Sequence, residues 1–275
     1  MKHSIYLLLA LFLLSCQNTS ESIIEISGEL KQWHKVTLQL SGPETSEGAM
    51  ENPFLDYKLD VEFSNGNTTL KVPGYFAADG NAGESSASEG NVWKVHFRPD
   101  QPGTWTYKVS FKKAKNISIL DGEDLGEPVA LDGAEGSLEI GESDKGALDF
   151  RGQGRIVNGG KGYFKFQGTD RVWIKNGADS PENFLAFDGF DQTSRLSLKS
   201  EFREGEANPK KSLHTYEAHV ADWEEGDPVW QGDKGKGIIG ALNYLQSAGV
   251  NSVYMLTMNK LGDGKDCLLY TSPSP

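Results

Sequence analysis

Four stretches of period-two alternation constrain this chain more than any other feature: Lys35–Leu40, Tyr57–Phe63, Val92–Phe97 and Trp105–Phe111. In each, apolar side chains recur at every second residue, so an extended strand puts them on one face and the polar ones on the other. Turn-forming clusters separate the stretches: Ser41-Gly42-Pro43, Asn65-Gly66-Asn67, Ala78-Asp79-Gly80-Asn81 and Pro99-Asp100-Gln101-Pro102-Gly103. Short strands at this spacing, with no helical pattern between them, predict an all-β sandwich over 28–125, close to immunoglobulin size. Trp33, Trp93 and Trp105 follow the apolar pattern and are expected in its core rather than as a carbohydrate platform.

The pattern changes after Lys112, where Gly, Asp and Glu accumulate, and 126–147 is expected as an acidic linker. Gly162–Phe166 and Arg171–Lys175 flank Gln167-Gly168-Thr169-Asp170, which predicts a hairpin. Ser180-Pro181-Glu182 places a cap, a Pro at the first helical position and an acidic residue in the first turn, a helix start. A long polar excursion, 192–235, follows, and loops of that length commonly serve a function. Ile238, Ile239, Leu242, Tyr244, Leu245 and Ala248 then recur at helical spacing up to Gly249, and Val253–Met258 is a nearly unbroken apolar strand. A helix, a Gly turn and a strand buried on both faces are the building step of a parallel sheet, so 148–266 is expected as α/β.

Both ends read as something other than fold. Lys2 and His3 precede an apolar run, Ile5–Leu14, too short to span a bilayer and ordered like a secretory signal over 1–15. Leu13-Leu14-Ser15-Cys16 resembles a bacterial lipobox, which implies an acylated Cys16, a tether over 16–27 and a membrane-anchored body. Gln17 in the second mature position is the pattern associated with sorting to the outer membrane. At the other end, Cys267–Pro275 reads in one frame as a translated transposase sequencing adaptor, so the chain is expected to be the first part of a longer protein.

Charge and cysteine usage narrow the chemistry. Lys+Arg 27 against Asp+Glu 39 leaves a formal charge of -12, which argues against nucleic acid as a partner. With Cys16 assigned to lipid and Cys267 to the adaptor, 28–266 has neither a disulfide nor a thiolate metal ligand. No zinc-type spacing is present, and neither a metal nor a cofactor is expected.

A family likeness rests on Gly42-Pro43, Asn52-Pro53-Phe54, Val72-Pro73-Gly74-Tyr75-Phe76, Phe97-Arg98-Pro99 and Pro102-Gly103-Thr104-Trp105-Thr106-Tyr107. These resemble the DUF5060 domain, an immunoglobulin-like unit at the front of bacterial proteins assigned as glycoside hydrolases. Downstream, Gly177–Leu185 and Gly249–Tyr254 resemble the opening of the apiosidase-like (DUF4038) barrel that usually follows it. The resemblance implies a multi-domain chain, with an N-terminal all-β immunoglobulin-like sandwich followed by the first part of an α/β (β/α)8 TIM barrel, incomplete. It implies a lipid-anchored glycoside hydrolase acting on an extracellular polysaccharide or oligosaccharide, with the usual carboxylate pair on later strands and this fragment itself inactive. The alternative is a carbohydrate-binding or docking lipoprotein in which the sandwich is the functional part.

No catalytic pair is assigned, and the candidate residues are sugar contacts. Asp179, Glu182 and Asn183 follow the Val172–Lys175 strand, and Asn259 and Asp263 follow the Val253–Met258 strand, at ends where barrel sites form. Asp179 and Glu182 equally suit helix capping. In the excursion, Trp223 and Trp230 offer stacking faces, and His214, Tyr216 and His219 are substrate contacts or loop packing.

Overall fold

The computed structural model describes residues 24–122, 125–146, 149–160, 162–177, 184–191 and 213–253. The first strands are β1 (Ile24–Gly28), β2 (Val36–Ser46), β3 (Tyr57–Ser64), β4 (Thr69–Phe76), β5 (Glu89–Phe97) and β6 (Gly103–Lys113), with a one-turn helix α1 (Ala82–Ser85) between β4 and β5. All four alternating stretches of the sequence lie inside β2, β3, β5 and β6 or extend them by one residue. The pairing order is β1-β2-β5-β4-β3-β6, antiparallel throughout.

The sheet curls over itself because β4 changes partner midway. Asp60↔Pro73 is its last pair with β3, and Gly74↔Val95 is its first with β5. Pro73 has no N–H to give to a ladder, which suits the residue where one ladder ends. Gly74 faces inward with no room to spare, since a Cβ there would lie 2.4 Å from Leu59 Cδ2 and 2.9 Å from Val95 Cγ2. The fold is therefore a curled antiparallel sheet around one core. Val36, Leu38, Leu40, Leu59, Val61, Phe63, Trp93, Val95, Phe97, Trp105, Val109 and Phe111 are buried in it, as period-two alternation requires. Phe63 of β3 stacks on Phe97 of β5 at 3.9 Å and 2°, which ties the two halves of the curl together.

Two sequence expectations change here. The 126–147 stretch, expected as a linker, adds β7 (Glu127–Pro128) and β8 (Glu135–Ile140) to β6. Leu138 and Ile140 alternate into the core, a short period-two signal masked by the surrounding acids. Trp33, expected in the sandwich core, sits instead in the turn before β2 at φ 67°, out of strand register. Its indole lies beneath two glycines of the following unit: a Cβ on Gly154 would be 3.0 Å, and one on Gly168 3.3 Å, from the ring. Trp33 thus packs against the second unit, and Arg98 holds its carbonyl through Nε at 2.7 Å.

The second unit begins with β9 (Ile156–Asn158), β10 (Phe164–Phe166) and β11 (Val172–Trp173), which pair antiparallel in the order β11-β10-β9. β10 and β11 form the expected hairpin, with Phe164 opposite Trp173. The expected helix before Gly249 is α2 (Lys236–Ser247), and Gly249 ends it at φ 86°. The TIM barrel is not seen among the described residues, because the three strands formed here close on each other through a tight turn and an antiparallel ladder instead of taking parallel neighbours. The helix start at Ser180–Glu182 and all but the first residue of the Val253–Met258 strand lie outside the described residues. What joins 174–176 to the end of α2 is a pair of asparagines. Asn251 Oδ1 accepts from the Asn176 N–H at 2.8 Å, Asn176 Nδ2 donates to the Gly249 carbonyl at 2.7 Å, and Asn251 Nδ2 donates to the Ile174 carbonyl at 2.9 Å.

Candidate functional site

The excursion residues gather on α2. Its face presents Ile238 and Ala241 to Phe184 and Phe187, and Tyr216, Phe190 and Trp230 pack around them. Glycines permit the approach: a Cβ on Gly240 would lie 1.9 Å from the His219 carbonyl oxygen, and one on Gly237 2.6 Å from that of Thr215. The turn Glu217–Asp222 therefore lies backbone to backbone on the helix.

Within this cluster Tyr216 is held on three sides. Its ring is 5.1 Å from Phe184, 5.8 Å from Phe187 and 5.1 Å from His214, and its hydroxyl donates to the Phe184 carbonyl at 2.9 Å. Burial pushes the phenol up to about 12. The unfolded phenol ionises near 10 and the folded one resists to about 12, so this group's contribution to stability falls as pH rises across that window and is flat below it. Denaturation measured from pH 8 to 12 is expected to show a falling stability to which the phenols of Tyr75 and Tyr107, also raised by burial, contribute, with Tyr216→Phe making the slope shallower and costing about 1 kcal/mol below pH 9 through the lost hydrogen bond. An unchanged slope in the variant would assign it to another group.

The two tryptophans are used differently from a sugar platform. Trp230 stacks on Phe190 at 5.5 Å and 11° and donates from Nε1 to the Gly189 carbonyl at 2.9 Å, so one ring face is covered by protein. Trp223 has the Lys236 ammonium 4.7 Å above its ring, and its Nε1 is buried without a hydrogen-bond partner. His219 Nδ1 is 2.9 Å from Asp222 Oδ2, and its ring is 4.9 Å from that of Tyr244, which is half-exposed. His214 is exposed over Tyr216. The structure thus brings His214, Tyr216, His219, Trp223 and Trp230 onto one helix, where His214, His219 and Tyr244 offer polar and aromatic surface to solvent. Asp179, Glu182, Asn183, Asn259, Asp263 and the lipidation candidate Cys16 lie outside the described residues.

Carboxylates near the cluster are tied up as acceptors. Asp191 accepts from Ser86 at 2.5 Å and from Gln231 at 3.0 Å, bonds that also join the cluster to the loop after α1 and hold its carboxyl below the usual range. Asp227 accepts from Asn243 Nδ2 at 2.7 Å and from the Glu224 N–H at 3.0 Å, with the same effect.

One grouping that could ligate a metal was not foreseen, because its members are far apart in sequence: Glu29, His34 and Asp144. His34 is buried, with Nδ1 2.5 Å from Glu29 Oε2, close but off the line of a good hydrogen bond, and Nε2 3.3 Å from Ser143 Oγ. Lys31 lies 2.5 Å from Asp144, and Lys145 sits between the carboxylates at 3.8 and 3.6 Å. Two ammoniums already supply the positive charge a divalent ion would bring, so the group reads as an ion-paired clasp between the first turn and the chain after β8.

Residues 29–112 match the family described as a domain of unknown function, DUF5060. This chain carries a DUF5060 domain. The match covers the curled sheet from the turn before β2 nearly to the end of β6, while β7 and β8 complete the same sheet beyond it. A solved structure, "a putative glycoside hydrolase from Bacteroides vulgatus ATCC 8482", is distantly similar to this chain, with a TM-score of 0.36 and 18% identity over 56% of this chain. The matched region is 23% of that protein, so this chain spans less than a quarter of its length. No curated protein matches the chain.

Proposed function

We propose that the protein binds an extracellular polysaccharide without cleaving it, its DUF5060 sandwich and the aromatic cluster on α2 forming a non-catalytic front to glycoside hydrolysis. One observation carries this reading. Glycoside hydrolysis needs a carboxylic acid whose pKa is raised, so that it holds a proton to give to the leaving oxygen. Among the described residues, the carboxylates displaced from their ordinary range are all displaced downward. The Asn116 N–H does this at Asp56, Ser85 at Asp79, Lys31 at Asp144 and Arg151 at Asp149. At Asp132 burial works upward, yet Lys112 and the Phe111 N–H still bring it down. Asp191 and Asp227 complete the set. The geometry agrees: Asp56 accepts from the Asn116 N–H at 2.8 Å, Asp132 from the Phe111 N–H and Lys112 at 2.8 Å each, Asp149 from Arg151, Asp191 from Ser86 and Gln231, and Asp227 from Asn243, so these described carboxylates serve as hydrogen-bond acceptors rather than proton donors.

In this reading Cys16 carries the lipid that keeps the domain at the envelope, and His214, His219 and Tyr244 contribute sugar contacts beside the sandwich. The full chain is expected to retain polysaccharides on a glycan array while releasing no reducing ends from them. Release of reducing sugar that survives loss of His219 would favour the hydrolytic alternative, and retention of no glycan would end the proposal.

A further inference from the structure

The outer face of the DUF5060 sheet carries a second grouping that the sequence reading left unassigned. Register fixes it. On β2 and β5, Thr37 lies opposite His96 and Gln39 opposite Lys94, and Tyr75 of β4 lies opposite Lys94 on the other side. These side chains share the face away from the core, since Leu38, Val95 and Phe76 point inward. Thr37 Oγ1 is 3.0 Å from His96 Nδ1, and the Tyr75 hydroxyl is 2.9 Å from His96 Nε2. The imidazole is therefore held at both nitrogens by hydroxyls, which can donate or accept and so suit either charge state. Tyr75 is 43% exposed, and its ring lies 5.5 Å from the His96 ring at 52°, a tilted pair.

We propose that this face, made by Thr37, Tyr75, Lys94 and His96 with Lys35 at its rim, binds an anionic sugar residue, one bearing a carboxylate or a sulfate ester.

Charge and shape both point there. In a chain of formal charge -12, Lys35 has no carboxylate partner among the described residues, and Lys94 Nζ donates to the Gly80 carbonyl rather than to an acid. Two acids border this face: Asp79, whose carboxyl is lowered in part by the Lys94 charge but is held mainly by Ser85 and the Asn81 N–H, and Glu25 of β1, which accepts from Gln39 at 3.3 Å. His96 is pushed below its ordinary value by burial first and then by Lys35 and Lys94, the field an incoming anion would offset. Burial also raises the Tyr75 phenol, so it stays a neutral donor near pH 7. An apolar sugar face can lie on the exposed Tyr75 ring while its anionic group meets Lys35 and His96 and a hydroxyl meets Tyr75, with the buried Thr37 hydroxyl holding the imidazole in place from the sheet side. An open strand face admits an extended polymer chain, which a pocket for a small free anion would not.

The inference rests on the polysaccharide-binding reading and names its ligand class. Titrating the full chain with a galacturonate trisaccharide, a sulfated disaccharide, cellotriose and inorganic phosphate, while following the His96 Cε1–H resonance against pH, tests it. One or both anionic sugars are expected to raise the His96 pKa and to bind more tightly as pH falls through it, and the stronger of the two identifies the anion. Lys35→Gln and His96→Gln, both at exposed positions, are each expected to weaken that binding about tenfold, as loss of a charge-assisted contact does. Tyr75→Phe is expected to keep part of the affinity through its ring. Phosphate matching the sugars, or anionic sugars binding both Gln variants as tightly as the parent, would overturn the assignment. Cellotriose bound in preference, with His96 unmoved, would overturn it while leaving polysaccharide binding intact, and the absence of any bound sugar would remove both.

Discussion

Trp93→Ala is expected to cost about 3–5 kcal/mol, a large part of the ~5–15 kcal/mol that holds a typical domain folded. Trp93 is 1% exposed and touches three rings: Tyr57 at 5.2 Å, Phe76 at 5.3 Å and Phe111 at 4.8 Å. Those partners come from β3, β4 and β6, so the indole links both halves of the curl. Its Nε1 donates to the Pro43 carbonyl at 3.1 Å, and Gly42 leaves it room, since a Cβ there would lie 2.6 Å from Trp93 Cδ1. Truncation leaves a cavity lined on several sides by strands whose register is fixed elsewhere, and such walls collapse poorly. Trp93→Phe keeps a ring but strands the Pro43 carbonyl, and a smaller loss of about 1–3 kcal/mol is expected. Chemical denaturation followed by far-ultraviolet circular dichroism checks both. A loss below about 1 kcal/mol for Trp93→Ala would show that the curl is not held through this ring.

Gly240→Ala is expected to detach α2 from the turn Glu217–Asp222, although alanine is the better helix former by about 1 kcal/mol. The new methyl would sit 1.9 Å from the His219 carbonyl oxygen and 3.1 Å from the Trp223 N–H nitrogen. Both are backbone atoms, so no side-chain rotation relieves the clash. Separation would also uncover Ile238, Ala241 and the phenylalanines packed on them. Limited proteolysis should then cut within 213–235 in the variant and spare the parent, while the main unfolding transition of the sandwich stays in place. Gly83→Ala, where nothing lies within 4 Å, is the control and should leave the digest unchanged. A Gly240→Ala protein as resistant as the parent would refute the close backbone contact.

Legibility in the sequence followed the range of the signal. Alternation in Val92–Phe97 already places Trp93, Val95 and Phe97 on one face and Lys94 and His96 on the other, because side-chain direction in a strand is a local property. Helical spacing likewise gave α2 to within two residues at its start and one at its end, and Gly249 its stop. Glu135–Ile140 was harder, since only Leu138 and Ile140 alternate among acids and glycines, and its strand forms because β6 offers a free edge. The aromatic excursion residues were legible as a group without a partner. That Trp230 would stack on Phe190 and Trp223 lie under Lys236 depended on where α2 was placed.

Taken alone, the order of residues determined the strands, their buried faces, the turns between them and the helix ahead of Gly249, all of which depend on neighbours a few positions apart. Tertiary structure decided what those faces meet. It brought Tyr75 to His96 across 21 residues, Glu29 and His34 to Asp144, and Trp33 to Gly154 and Gly168 of the next unit. It also made Pro73-Gly74 the point where β4 changes partner and the sheet curls. Such pairings depend on ladder register and on which backbone can approach which, and neither is written in any short window of sequence.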